Sequence, residues 1–426
     1  MKNYLQNSGF KVIAAYPIQY GGTEYAVPKG QKGVMKVLVD FAHGKPMFQI
    51  HQDHHEGQVG VEKGTSTSFV HAPSGAGIIS GTISPRDLFP QSDLKIINTV
   101  DSADFASQGL TPDDIINATF SINKNIPVEK NHKMMGFVVN KLLLSYKNKK
   151  SFLSDLVMNS KPSLISMFNV IKKLSKAEGY KTPDVIDADS ANYQRTQSGK
   201  AKKEGKLEDI KTLKNGESVM IGNLVVQYGG GTMTKGYQYD RYTPFKIHPD
   251  ANYFCIVWPV GILQLSRNPF KKSSKDLHLG NIVMNDVMPK FKSKLQSIEI
   301  TLDYLKYTFE MDIMKKKLEN AVGFTFKDLI ALYDKQLKGI PDVGNYRELI
   351  VNITDKPYKF LSQKQKAIMK KVTINAWDVI MAGSGGHKSI TNISGVNFIG
   401  KSQYPDGYTG LMRDIQYEIA KRMKDE

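Results

Sequence analysis

The residues best suited to chemistry are two aspartates and a cluster of imidazoles. Asp40 follows the apolar run Val37-Leu38-Val39, and Asp53, His54 and His55 follow Met47-Phe48-Gln49-Ile50. His51, Asp53, His54, His55 and Glu56 lie within five positions of one another. Carboxylates and imidazoles together form a donor set that suits Mn²⁺, with Mg²⁺ or Zn²⁺ as other options. Two such ions about 3.5–4 Å apart could bridge a phosphate, lower the pKa of a shared water and steady the departing oxygen. Singly, each residue has an ordinary reading: an aspartate at a strand end is commonly a cap or turn residue, and His43, His51 and His71 read as polar loop residues or residues that orient a ligand. The triplet Asp53-His54-His55, taken together, reads as a site.

A second stretch could bind an anion. In Gly383-Ser384-Gly385-Gly386-His387-Lys388 the glycines let backbone N–H groups approach an anionic group, and His387 or Lys388 adds charge. Arg267 closes the apolar run Ile262-Leu263-Gln264-Leu265-Ser266, where a guanidinium can fork onto phosphate or simply be solvated.

These residues need elements to position them. Adjacent His54 and His55 cannot both face a core from a strand, because neighbouring side chains point opposite ways. Their place is a loop just past a strand end, where open α/β sheets collect ligands. The pattern predicts strands over 33–39, ending at Asp40, and over 47–50. It predicts a third over 94–100, running into Asp101-Ser102-Ala103-Asp104, and an opening strand over 10–16. In a parallel sheet such ends converge on one edge. Residues 111–185 read as helical, with Thr111 as cap, Pro112 in the first turn and Asp113 and Asp114 at the positive dipole end. The polar stretch 187–207 is the best domain boundary, or else an exposed linking helix.

Beyond it strand signals resume over 218–228. A hairpin is expected from 253–258 and 261–267, turned at Pro259-Val260. A lysine-rich, mainly helical region follows over 283–370, and an amphipathic helix closes the chain over 411–424.

Composition bounds the function. A chain of 426 residues holds two or three domains. The formal net charge of +17 points to a polyanionic partner, nucleic acid first, although a lysine-rich solvated surface would give the same number. Lysine runs at 147–150, 200–206 and 271–275 could line a channel for a single strand, with Tyr237, Tyr239 or Tyr242 available to stack bases. One cysteine, Cys255, excludes an internal disulfide framework and suggests a reducing compartment. With no signal-peptide run and no long apolar stretch, a cytoplasmic protein without a membrane span is expected.

Asp53-His54-His55 after a strand, with Asp40 after an earlier strand, Asp101 further on and Gly385-Gly386-His387 far downstream, resembles the DHH family of phosphoesterases, which includes single-strand exonucleases and nano-RNases. The resemblance is spread over about 36–110 and 215–400. It implies an α/β fold of two domains. The first, 1–186, would be a parallel-sheet metal-binding domain. After a linker at 187–213, the second, 214–426, would be a mixed-sheet DHH-associated domain with a helical insertion over about 283–370, and the active site would lie in the cleft between them. It further implies that Asp40 bridges the ions, that His54 and Asp101 complete one metal site, and that Asp53 and His55 hold or orient the other ligands. Asp104 and His51 would stand behind them. Arg267, Gly385, Gly386, His387 and Lys388 would meet the substrate.

The family's first-strand motif of a histidine and two aspartates has no counterpart, because residues 1–35 contain neither residue type. The site is then rebuilt, for instance with His51 or His43, or holds one metal, or is degenerate. Three functions follow: a Mn²⁺- or Mg²⁺-dependent exonuclease on single-stranded nucleic acid or short oligonucleotides; a phosphodiesterase or pyrophosphatase on small molecules such as cyclic dinucleotides; or a non-catalytic nucleic-acid-binding protein. The charge favours the first and third, since small substrates need no long basic surface.

Overall fold

The computed structural model describes residues 1–15, 35, 37–39, 50–53, 67–69, 72–80, 88–116, 128–145, 150–177, 201–202, 204–229, 242–258, 261–272, 277–310, 330, 333–334, 336–340, 346–386 and 389–426. The chain is mixed α/β. Its first half builds a small parallel sheet from β1 (Val37–Val39), β2 (Ile50–Asp53) and β3 (Thr67–Phe69), in that order. Val39 pairs with Gln52, and Asp53 pairs with Phe69. All three strands therefore end on one edge, as the apolar runs before Asp40 and Asp53 predict. β2 contains Asp53 itself, and the expected start of this strand at 47–49 lies outside the described residues. The expected opening strand is not formed over 10–15; α1 (Lys2–Asn7) precedes that stretch instead. Lys2 Nζ donates to the carbonyls of Val157, Met158 and Ser160 at 2.8–3.0 Å, at the end of a later helix.

The third expected strand is a helix. After α2 (Gly75–Ser80), α3 (Gln91–Ser102) covers the whole run and stops at Ala103, whose φ of 52° is left-handed. The spacing explains the outcome. Asp93, Leu94, Ile96 and Thr99 are buried, whereas Ser92, Lys95, Asp101 and Ser102 are exposed, a period near 3.6. A short apolar run alone does not separate a buried strand from a helix face.

The helical reading of 111–185 holds over α4 (Pro112–Ile116), α5 (Val128–Ser145), α6 (Lys150–Asn159) and α7 (Leu164–Ala177). Thr111 caps α4 as expected: its Oγ1 accepts the Asp114 N–H at 3.3 Å, while Asp114 Oδ2 accepts the Thr111 N–H at 2.8 Å. Buried Asp93 pins three helices together, bonding His132 Nε2 at 2.8 Å and accepting the Leu164 N–H at 2.9 Å.

The second half is organised by a seven-stranded mixed sheet. Its strands are β4 (Ala201–Lys202), β5 (Glu217–Ile221), β6 (Leu224–Tyr228), β7 (Tyr253–Trp258), β8 (Ile262–Arg267), β11 (Gly385–Gly386) and β12 (Ile390–Ile393), in the order β11-β12-β8-β7-β6-β5-β4. The hairpin expected at 253–267 is present, with Trp258 opposite Ile262. The run 218–228 is itself a hairpin, turned at Gly222-Asn223 with Gly222 at φ 56°. A Cβ at Gly222 would meet the Lys424 carbonyl oxygen at 2.1 Å, so this turn is also where the chain's last helix ends. That helix, Gly407–Met423, lies on the sheet, and its buried Gln416 donates to the carbonyls of Gln227 and Cys255. Burial pushes the Cys255 thiol up, which makes it a core residue rather than a nucleophile. Of the stretch read as linker, β4 pairs with β5, and Ile210 and Leu213 are buried in this half's core. Helices dominate 279–371 among the described residues, interrupted by β9 (Glu299–Thr301), which pairs with β10 (Thr373–Asn375) just beyond.

An aromatic cluster joins the halves. Fully buried Phe105, just past α3, meets Tyr242 edge-on at 5.6 Å and lies 5.4 Å from Phe270 and 6.1 Å from Phe137. The Ala106 N–H donates to the Pro269 carbonyl at 2.9 Å, and Lys246 pairs with Asp113 at 2.5 Å. Phe105→Ala should destabilise the protein by about 3–5 kcal/mol and loosen the halves before either core melts. Urea unfolding followed separately by fluorescence and far-UV circular dichroism checks both; coincident, unshifted transitions would contradict it.

A second prediction concerns alkaline pH. Tyr358 donates to Asp303 at 2.8 Å, and its phenol is pushed up to about 12 by burial and by that carboxylate. A tyrosine in the unfolded chain ionises near 10. The stability this phenol contributes is complete below about pH 10 and is lost as pH rises toward 12. Tyr358→Phe should flatten the fall of unfolding free energy over that window, measured by denaturant titrations at successive pH values.

Candidate functional site

The first half assembles its part from the edge of the parallel sheet. Asp53 is the last residue of β2, level with Phe69, and Val39 ends β1 beside Gln52. His51, in the same strand, pairs with Leu38 and Thr67 in the backbone register. Asp40, His54 and His55 follow these strand ends directly in the chain and lie outside the described residues, as do His43 and His71.

A pocket of about 590 Å³ lies next to α3, lined among others by Pro73, Leu94, Lys95, Asn98, Thr99 and Asp104. Pro73, on the pocket wall, is four residues after Phe69 in the chain. Ser74 Oγ donates to Asn98 Oδ1 at 2.5 Å and accepts the Gly77 N–H at 2.9 Å, which holds α2 against α3.

Asp101 is exposed in the last turn of α3, not at a strand end, so it would reach a shared ion from a helix. Asp104 is exposed just past that helix, with Oδ1 accepting the Ser107 N–H at 3.4 Å while it lines the pocket. Among the described residues no group of three or more His, Cys, Asp or Glu stands close enough to hold a metal.

The second half brings its expected residues together on neighbouring strands. Gly385 and Gly386 form β11, opposite Asn392 and Thr391. On the other side of β12, Ile390 pairs with Ser266, and the Arg267 N–H donates to the Ser389 carbonyl at 2.9 Å. The glycine stretch is thus one arm of a hairpin whose return strand is bonded to the Arg267 backbone. His387 and Lys388, between the arms, lie outside the described residues.

The Arg267 side chain is half-buried rather than freely solvated, and its guanidinium donates to the Leu277 carbonyl. That bond secures the segment carrying His278, whose Nδ1 accepts the Asn281 N–H at 3.1 Å and caps the short helix Leu279–Asn281, packed on β11 and β12. Sequence reasoning missed His278. Histidine is not among the usual cap residues, and no metal-like spacing surrounds it.

Two further expectations change. Tyr242, proposed to stack bases, is buried in the aromatic cluster at 8% exposure, while Tyr237 and Tyr239 lie outside the described residues. Of the lysine run at 271–275, Lys271 is anchored to the Asp250 carbonyl and Asn252 Oδ1.

Comparison with family models, curated proteins and solved structures gives no match. No helix among the described residues is long and apolar enough to cross a membrane.

If the guanidinium acts by holding the Leu277 carbonyl, keeping only its charge is not enough. Arg267→Lys and Arg267→Ala should each lower stability by about 1–3 kcal/mol, as expected for a charged hydrogen bond removed from a part-buried place. Full retention of stability by the lysine variant in urea unfolding would rule out this strut.

Proposed function

We propose that this protein is a metal-dependent phosphodiesterase that removes nucleotides from an end of single-stranded nucleic acid or short oligonucleotides. One observation carries the reading: the parallel register sets the strand end before Asp40 beside the strand that ends in Asp53, and two imidazoles follow in sequence. This is the donor chemistry that Mn²⁺ or Mg²⁺ takes. Asp40, Asp53, His54 and Asp101 would hold the metal, with His55, His51 and Asp104 orienting ligands and water. A bound ion would supply a water of lowered pKa and charge to steady the phosphate in its transition state.

The chain's other groups would hold the substrate. Backbone N–H groups at Gly385 and Gly386, with His387 and Lys388, would meet a phosphate, and Arg267 would keep that hairpin and the His278 segment in place. A net charge of +17 would concentrate a polyanion around the site and make binding strongly salt-dependent. A cytoplasmic setting and a single-stranded partner belong to the same proposal.

A second reading has its own support. Residues 1–35 contain no histidine or aspartate, and Asp101 stands on a helix, so the same scaffold could bind strands without cutting them.

The test is to incubate end-labelled single-stranded DNA, RNA and dinucleotides with the protein and Mn²⁺. The wild type should release mononucleotides. Asp53→Ala should lose at least about 100-fold in rate, since even the outer partners of metal ligands are worth roughly 10–100-fold. Strand binding without metal-dependent turnover on any substrate would leave the second reading. Turnover confined to dinucleotides would select a small-molecule phosphodiesterase.

A further inference from the structure

We infer that the surface formed by residues 302–310 and 356–371 is a stacking platform for single-stranded nucleic acid, separate from the sheet edge and the glycine hairpin. Aromatic rings usually bury most of their area, yet here three stand in solvent: Tyr304 is 43% exposed, Tyr307 47% and Phe360 66%. Tyr304 and Tyr307 lie one turn apart on the helix Leu302–Glu310. Phe360 closes the single turn Tyr358–Phe360, which packs on that helix, and the helix Gln363–Lys371 packs beside them. Tyr307 meets Tyr358 edge-on at 5.6 Å, so two rings of the patch are held relative to each other.

Lysine dominates the charge around the rings. Residues 356–371 contain six lysines and no acid. Lys366 Nζ sits 4.6 Å from the Tyr358 ring centre, and Lys359 Nζ 4.9 Å from that of Phe360. The acids of the adjoining helix are engaged within the protein. Asp303 accepts the Tyr358 O–H, while Glu310 is paired with buried Lys306 and accepts the Tyr358 N–H. Asp355, at the rim, is an exposed acid beside the run.

Rings exposed among lysines, with Asp303 and Glu310 bonded within the protein, match the chemistry of a single strand. Bases stack on the ring faces in a sequence-tolerant way, and lysines swing from the rings to the phosphates. An anionic membrane would also attract the lysines, but insertion needs a broad apolar face, and of the large aliphatic residues here Leu302, Leu305, Leu361 and Met369 are buried and Ile368 is half-buried. The inference rests on the proposed function only for the nature of the strand, because binding requires neither metal nor hydrolysis.

The experiment is fluorescence anisotropy of a labelled oligothymidylate of about 20 nucleotides with the full chain in EDTA, at about 50 to 200 mM salt. The combined Tyr304→Ala, Tyr307→Ala and Phe360→Ala variant should bind about 10- to 100-fold more weakly, as expected when stacked bases lose their rings. Tyr304→Phe with Tyr307→Phe, which keeps both rings, should bind like the wild type. Lys359→Gln with Lys366→Gln should weaken binding and reduce the salt slope by about 0.7 for each phosphate no longer neutralised. Because the measurement is made in EDTA, where no metal-dependent hydrolysis proceeds, a failure of hydrolysis leaves this result readable. Unchanged affinity of the triple alanine variant would overturn the platform, as would absence of strand binding by the wild type. So would binding of phosphatidylserine vesicles through these residues without strand binding.

Discussion

The packing of Phe105 against Phe137, Tyr242 and Phe270 is the constraint on which the rest depends. The acids and imidazoles sit in the first half of the chain and the glycine hairpin in the second. Two such sets act on one phosphate only if their halves keep a fixed relation. Edge-to-face rings fix orientation as well as distance, because each ring's positive rim must meet another's negative face. The backbone bond from Ala106 to Pro269 and the ion pair of Lys246 with Asp113 restrain the same junction from either side. α3 leads straight into Phe105, so the helix that walls the pocket is also tied to the second half.

Within each half the same economy holds. One buried carboxylate, Asp93, holds α3, the His132 turn of α5 and the first N–H of α7 together. One buried amide, Gln416, ties the last helix to two strands of the large sheet. Arg267 links the end of β8 to the segment that carries His278. Asp93 and Gln416 are buried and Arg267 is half-buried, so removal of a partner would leave a polar group unsatisfied where water reaches it poorly. Such bonds specify arrangement more than they add stability.

Much of the fold was legible in the sequence, and the exceptions have physical causes. The strand ends at Val39 and Asp53, the capped start at Thr111, the hairpin at 253–267 and the closing helix all follow from pattern and cap chemistry. The run from Leu94 to Val100 misled because seven mostly apolar residues satisfy either period; the exposed positions at Lys95, Asp101 and Ser102 carry the helical signal. The meeting of Arg267 with Ser389 joins distant segments, and no local pattern encodes it. His278 and the exposed rings at Tyr304, Tyr307 and Phe360 were invisible for a related reason. Their significance lies in what surrounds them in space, and a helical stripe of aromatics in sequence reads first as core.

We propose that Asp40, which follows β1 in the chain, and Asp53, the last residue of β2, share a divalent cation with the imidazoles that follow. Anomalous scattering at the manganese edge, from crystals grown with Mn²⁺, tests it most directly. The account predicts a peak within coordinating distance of the Asp53 carboxylate, with Asp40 and His54 among its other ligands. A map with no peak there, or with Asp40 and Asp53 too far apart to touch one ion, would contradict it.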